Sequence, residues 1–387
     1  MKKLFFAIAI IFPFALHAQN RMTPEMLWKL GRVSGLGISK DGKYVLYTVS
    51  TPNADENRSY KKSYALPLAG GEPMQISNPD SMLLNEKISA DGKYMISSSD
   101  VKVKNVTGKD YYPQLSKSNV YIFDNLMYRH WDEYEDGKFG HVMLTTLNNG
   151  IAGETKDLMA GEPYDCPQKP FGGDEDFVWN PNSKQVVYCT KKKYGTAYTI
   201  STNTDLYGYD ISTGKTTNLT EGMMGYDINP SFNKNGDMAW LSMKRDFYEA
   251  DKQDIVVTAG PLKMNLTAQR DDIHVEGYKW SNDGKSIFFW APIDGTLQLF
   301  EVNYAGLTRA LTKIRQITRG DFDVTGIIGQ DGNNLIVTRT DMNHASEIYS
   351  VDITSGAMKQ LTHINDAAYA QIGMSKVEKR MVRTTDG

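Results

Sequence analysis

The sequence predicts an all-β fold, a β-propeller of about seven four-stranded antiparallel blades, with six clear repeats and a range of six to eight. The first observation is one phrase that recurs six times: ISKDGKYVLY (38–47), ISADGKYMIS (88–97), WNPNSKQVVY (179–188), FNKNGDMAWL (232–241), WSNDGKSIFF (280–289) and IGQDGNNLIV (328–337). Each copy sets an apolar anchor, a polar turn and a β-rich run; the turn is Asp-Gly or Asn-Gly in five copies and Asn-Ser in the third. The second observation is the spacing, 50, 91, 53, 48 and 48 residues, close to the length of one blade. The third is a closing phrase, a short strand ending in something like Leu-Thr. It reads Gln75-Ile76-Ser77, Asp157-Leu158-Met159, Asn218-Leu219-Thr220, Asn265-Leu266-Thr267, Gln316-Ile317-Thr318 and Gln360-Leu361-Thr362.

Ahead of the repeats, residues 1–18 read as a secretory signal peptide. Lys2 and Lys3 precede an apolar run over 4–16, and Ala18 marks the expected cleavage point. Thirteen apolar residues interrupted by Pro13 are too short to span a bilayer, and no later segment reaches that length. The product is therefore expected to be exported, periplasmic or secreted, with no membrane partner. An N-terminal segment, 19–36, carries a short helix over 23–30, with Thr23 as N-cap and Pro24 in the first turn.

The propeller is expected over 37–375. Within each repeat a hairpin separates the two phrases, clearest in LYGYDISTGKTTNL (206–219) and its near duplicate EIYSVDITSGAMKQL (347–361). Leu68-Ala69-Gly70-Gly71 and Tyr304-Ala305-Gly306 supply the same turn in two other repeats. The second repeat is longer by about 40 residues, an insertion at about 101–139 that is dense in Tyr, Arg, His, Trp and acids. Long insertions in repeats map to one face and often carry binding function.

Removing the two signal lysines leaves 41 basic against 46 acidic residues, a net charge of −5. That balance disfavours nucleic acid as a partner. Cys166 and Cys189 are the only thiols; an oxidising compartment permits a disulfide, but Cys189 on a strand reads better as a small buried hydrophobe. His130, His141, His274, His344 and His363 show no metal-ligand spacing, so no metal or other cofactor is expected. The repeated Asp41, Asp91, Asp283 and Asp331 are expected to cap their own turns.

The repeats resemble the "W-S-P-D-G-K" blade of TolB and of the prolyl oligopeptidase family of serine peptidases. The insertion narrows this resemblance. Tyr128-Arg129-His130-Trp131-Asp132 followed by Asp136-Gly137-Lys138, then Pro163-Tyr164-Asp165 and residues 171–176 (FGGDED), look like the acylaminoacyl-peptidase and dipeptidyl peptidase V branch. The resemblance covers 22–387 as that family's N-terminal propeller. It implies a C-terminal α/β-hydrolase domain with a Ser-Asp-His triad. No Gly-x-Ser-x-Gly elbow occurs in the chain: Gly37-Ile38-Ser39 and Gly373-Met374-Ser375 both fail to complete it. Residues 376–387 resemble the start of the linker into that domain. The expectation is a truncated sequence with no catalytic residues, inactive by itself.

In related dipeptidyl peptidases the propeller supplies acids that hold the substrate's free amino terminus. The resemblance places that role on Glu133, Glu135 and Asp136, with Arg129 for a substrate carbonyl and Trp131 as an apolar wall. The blander alternative is an Arg129–Asp132 pair bracing the loop with Trp131 packed beneath. The function implied is the substrate-gating portion of an exported peptidase that releases dipeptides or acylated residues from short peptides. A homodimer is compatible with it. The alternative is a non-catalytic, TolB-like periplasmic propeller that binds a protein or peptide.

Overall fold

The turn phrase explains itself in the structure, a computed structural model that describes residues 21–385 apart from 116, 260–261, 305 and 307–311. Residues 1–18 with the signal peptide, Ala305 of the turn at 304–306, and the last two residues of the linker lie outside the described set. In the first repeat Ser39 Oγ donates to Asp41 Oδ1 (2.6 Å) and accepts from the backbone N–H groups of Lys43 (3.2 Å) and Tyr44 (3.0 Å). Ser281 with Asp283 builds the same network, and Ser89 with Asp91 differs only in that Lys93 N donates to Asp91 Oδ1 rather than to the serine. The serine hydroxyl, then the backbone, holds the exposed carboxylates of Asp41 and Asp283 below the usual range, and the same hydroxyl leads at Asp91. Asp331 departs from the expectation. It sits in a tight hairpin between Asp323–Asp331 and Asn334–Asp341 and makes no side-chain bond there.

The closing phrase has a second purpose. The hydroxyls of Thr220, Thr267, Thr318 and Thr362 accept from the N–H of Leu206, Ile255, Leu299 and Ile348, at 2.8 to 3.1 Å. Three of them also donate to an acid of the third strand, Asp205 or Asp254 at its start or Glu347 within it. The threonine thus extends the pairing of a very short outer strand past its last ladder bond.

Six antiparallel sheets follow in chain order, one per repeat, among the described residues. The first contains Arg32–Ile38, Tyr44–Asn53, Arg58–Pro67 and Met74–Ile76; the second contains Tyr94–Lys102, Lys138–Asn148 and Ile151–Asp157. In the second blade the missing inner strand is reduced to a single bridge, Ile88 to Met95. The third runs from Phe177–Trp179 to Thr216–Asn218, the fourth from Asp227–Phe232 to Leu262–Asn265, the fifth from Gly277–Trp280 to Ile314–Gln316 and the sixth from Asp323–Asp331 to Met358–Gln360. The blade number is six, at the lower end of the expected range. The insertion and the termini add a helical turn and a two-stranded hairpin rather than a seventh blade.

Inner strands neighbour one another around the axis, as Arg32–Ile38 does with Asp323–Asp331. The core lies between blades, and each fully buried aliphatic or aromatic side chain there contributes about 1.5–3 kcal/mol. Ile287, Phe289 and Phe300 of blade five pack on Leu241, Ile255 and Val257 of blade four. Similar clusters join blades two and three, three and four, five and six, and six and one. None of the five spans blades one and two, where Lys40 donates through its backbone N to Met82 O (2.8 Å) and through Nζ to Ser81 O (3.0 Å).

Among the described residues no strand crosses from one end of the chain into the sheet at the other. The ring closes instead by packing of blade six on blade one, with Ile328, Ile336 and Ile348 against Val33, Val45 and Tyr47. Gly35 and Gly329 make that approach fit: a Cβ on Gly35 would lie 2.3 Å from Ile328, and one on Gly329 would lie 2.6 Å from Ile38. The N-terminal helix, Pro24–Lys29, forms as expected, with the Thr23 hydroxyl accepting from Met26 N (3.3 Å) and Pro24 at its start. Cys166 and Cys189 are both buried and unbonded to each other. Cys189 Sγ lies 3.3 Å from Asp227 O inside the cluster that joins blades three and four.

Candidate functional site

In a four-stranded meander the loops between second and third strands share one end of the propeller with the links between blades. All twelve exposed aromatic side chains of the described residues lie at this end, Trp28, Trp131, Phe171 and Phe247 being the most prominent. The insertion belongs to it, leaving Tyr94–Lys102 and re-entering at Lys138–Asn148.

Local chemistry folds the insertion. Asp110 Oδ2 accepts from Lys102 Nζ (2.8 Å), Val106 N (2.9 Å) and Thr107 N (2.7 Å), so the Lys102 ammonium and then those amides hold its carboxyl well below the usual range. This anchors the single helical turn Gly108–Tyr111 to the blade. Rings then stack along the loop, Tyr121 on Phe123 (6.0 Å) and on Tyr134 (5.4 Å), and Phe123 against Tyr128 (5.7 Å). The stack holds a small hairpin, Arg129–His130 with Glu133–Tyr134, closed by Glu135 N donating to Tyr128 O (3.0 Å). Gly137, at φ +81°, returns the chain to the blade where a Cβ would strike Lys104 O at 2.2 Å.

Beneath this hairpin is a cavity of about 410 Å³. Its walls come from four segments: the insertion (Phe123, His130, Glu135), blade two (Phe139), the link to blade three (Tyr164, Asp165, Lys169) and the loop of blade three that carries Tyr194 and Tyr198. Lys169 Nζ pairs with Asp165 Oδ1 at 3.3 Å, and the same oxygen accepts from Gly140 N at 2.9 Å. Burial pushes the carboxyls of both Asp165 and Glu135 up, and Lys169 opposes that at each. Burial alone would lower Lys169, but Asp165 and Glu135 outweigh it and hold its ammonium above the ordinary value. The cluster therefore has two carboxylates and one ammonium. Among the described residues Glu135 makes no side-chain hydrogen bond or ion pair, so one carboxyl in the cavity lacks a bonded partner.

Of the five residues singled out in the sequence, only Glu135 lines the cavity. Asp136 caps the turn of the insertion's exit, accepting from Lys138 N (2.9 Å) and pairing with Lys138 Nζ (3.3 Å). Glu133 and Arg129 are exposed on the hairpin, and Arg129 forms no ion pair with Asp132. Trp131, at the hairpin tip, is 67% exposed rather than packed underneath. Asp165 and Lys169 were not singled out as site residues, although Tyr164 and Asp165 fall in a motif already noted. Proximity to Glu135 across 30 residues leaves no local signal.

Other buried titratable groups serve the frame. His141 is fully buried between Asp157 Oδ2 (2.9 Å) and Glu162 O (2.8 Å). Lys191 donates to Ser201 O (2.7 Å) and Tyr198 O (3.1 Å), and burial pulls its ammonium down to about 8. Among the described residues no cluster of His, Cys, Asp and Glu is arranged to hold a metal, and no helix is long and apolar enough to cross a membrane.

The chain is a six-bladed antiparallel propeller, with its second blade extended over a charged cavity and its exposed aromatics gathered at that end, and its sequence is similar to that of known peptidases. More particularly, the chain is homologous to dipeptidyl-peptidase 5. It is 32% identical to the protein of that name from Porphyromonas gingivalis over 414 aligned positions, covering 95% of this chain and 59% of that one. The resemblance read from the repeats and the insertion is thereby borne out. Among solved structures, acylaminoacyl peptidase from Pyrococcus horikoshii superposes with a TM-score of 0.63 at 13% identity, over 90% of this chain and 55% of that one. The β-propeller domain of the trilobed protease from Pyrococcus furiosus, described as having an open velcro topology, superposes with a TM-score of 0.53 at 16% identity over 88% of this chain and 98% of that one. At such identities these two likenesses speak for the fold. No protein-family model matches the chain.

Proposed function

We propose that this chain is the substrate-gating propeller of an exported serine peptidase that releases dipeptides or acylated residues from short peptides, its Ser-Asp-His triad carried by a separate α/β-hydrolase domain. The chain spans 59% of the length of its Porphyromonas gingivalis relative, which leaves room for such a domain there. The single observation that carries the reading is Glu135. Among the described residues it is a half-buried carboxylate without a bonded partner, in a peptide-sized cavity, at the end where the exposed aromatics gather. A desolvated carboxylate attracts an ammonium and leaves a blocked amine with no compensating bond. The cavity then sorts peptides by their free amino terminus, and the aromatic end supplies the apolar surface on which a catalytic domain packs.

The test is calorimetric titration of the chain with a free-amine tripeptide and with its N-acetylated form. Preferential binding of the free amine, lost in Glu135→Gln, supports the reading. Equal binding of both forms, or equal loss on both, removes the amine-binding role.

A further inference from the structure

Two chain segments leave the cavity side by side, and each runs from a charge at its base to an exposed aromatic ring at its tip. The hairpin has Glu135 at its base and Trp131 at its tip. The link from blade two to blade three has Asp165 and Lys169 at its base and Phe171 just beyond. The tips meet: the rings of Trp131 and Phe171 pack edge to face with centroids 5.5 Å apart, although the residues are 67% and 80% exposed. Trp131 is further held at φ +49°, in the left-handed region that bulky residues avoid. Its ring also touches His130, a lining residue of the cavity, at 5.4 Å.

The geometry points to Trp131 and Phe171 as a specificity-determining lip that receives an apolar side chain at the first or second position of a peptide anchored at Glu135. This rests on the amine-site reading above. A peptide whose ammonium is held at the base and that runs out along these two segments passes their tips. The exposed faces of the two rings offer apolar area and no hydrogen-bonding partner, so they reward a leucine or phenylalanine and do nothing for a serine or asparagine. Two residues from different segments converge on one contact, which makes the lip a composite surface rather than a stray exposed ring.

The experiment is titration of the full chain with Leu-Phe-Ala and with Ser-Asn-Ala, both with free amines, against the parent, Phe171→Ala, Trp131→Ala and Glu135→Gln. Unchanged thermal melting confirms that each exposed-site variant is folded. The lip predicts that Phe171→Ala weakens Leu-Phe-Ala by about tenfold and leaves Ser-Asn-Ala unchanged, with Trp131→Ala doing the same. Glu135→Gln should weaken both peptides together. Equal affinity of the parent for the two peptides, or equal effects of Phe171→Ala on both, overturns the lip while the Glu135 result still supports the amine site. If the parent binds neither peptide, the amine site and the lip fail together.

Discussion

The side-chain amide of Asn365 grips Gly31 from both directions, accepting from Gly31 N at 2.8 Å and donating to Gly31 O at 2.9 Å. The two residues are 334 positions apart, and this pair ties the start of blade one to the segment that follows blade six. Asn365 is itself oriented by Glu347 Oε1, which accepts from its backbone N at 3.2 Å. Removing the amide strands two polar groups of Gly31 in a buried place, each costing about 1–3 kcal/mol. Asn365→Ala is therefore expected to lower the free energy of unfolding by about 2–4 kcal/mol, read from urea titration. No measurable change would mean that water replaces the amide and that the tie is dispensable.

The glycines at the same seam predict a compensating pair. Gly35→Val drives a side chain into Ile328, and overpacking of this kind costs about 1–3 kcal/mol. Ile328→Ala alone opens a cavity at about 2–5 kcal/mol. The double variant should be more stable than the sum of the two losses predicts, because each change fills what the other vacates. Strict additivity in the double-mutant cycle would show that the two positions do not interlock.

Asp176 gives a pH dependence of definite sign. It is 2% exposed, its Oδ2 accepts from Gln168 N at 2.7 Å, and burial pushes its carboxyl up to about 7. A folded-state value above the unfolded one means that the native state holds the proton longer. The contribution is fully present below about pH 4 and is lost as pH rises towards 7. Asp176→Asn mimics the protonated acid and keeps an oxygen to accept from Gln168. It should match the parent at pH 4 and exceed it by roughly 2–4 kcal/mol at pH 8. A constant difference between the two proteins across that range would exclude ionisation of Asp176 as the cause.

Both thiols should be silent in the native protein. Cys166 and Cys189 are fully buried, and burial pushes both above the ordinary thiol value. A chromogenic thiol reagent should count none before unfolding and two after it, without added reductant. A count of none after unfolding would mean that the two are joined.

The blades were legible because their chemistry is local. Ser39, Asp41, Lys43 and Tyr44 complete a turn within six residues, so the pattern survives in the sequence as a phrase. Leu-Thr was legible as punctuation but not as the back-bond it makes to the third strand, which lies 12 to 19 residues upstream. The cavity was legible only in part. Glu135 and Asp136 are adjacent and chemically similar, yet neighbouring side chains on an extended chain point to opposite sides. One reaches the cavity and the other is taken by Lys138. Asp165 and Lys169 join Glu135 from another segment, a pairing that only the packed insertion creates.

Every sheet is completed within one stretch of chain, and the two flanks of the ring meet at Gly31 and Asn365. The order of blades around the axis is therefore independent of the point at which the polypeptide is opened. A circular permutant that joins the segments beyond Gly31 and Asn365 by a short linker, and opens the chain between blades one and two, would cut where no buried cluster spans the interface. Such a protein should melt as one cooperative unit near the parent's temperature, whereas opening within a blade should not. The contiguous blade makes this ring, in effect, a necklace whose clasp can be moved to any gap between beads.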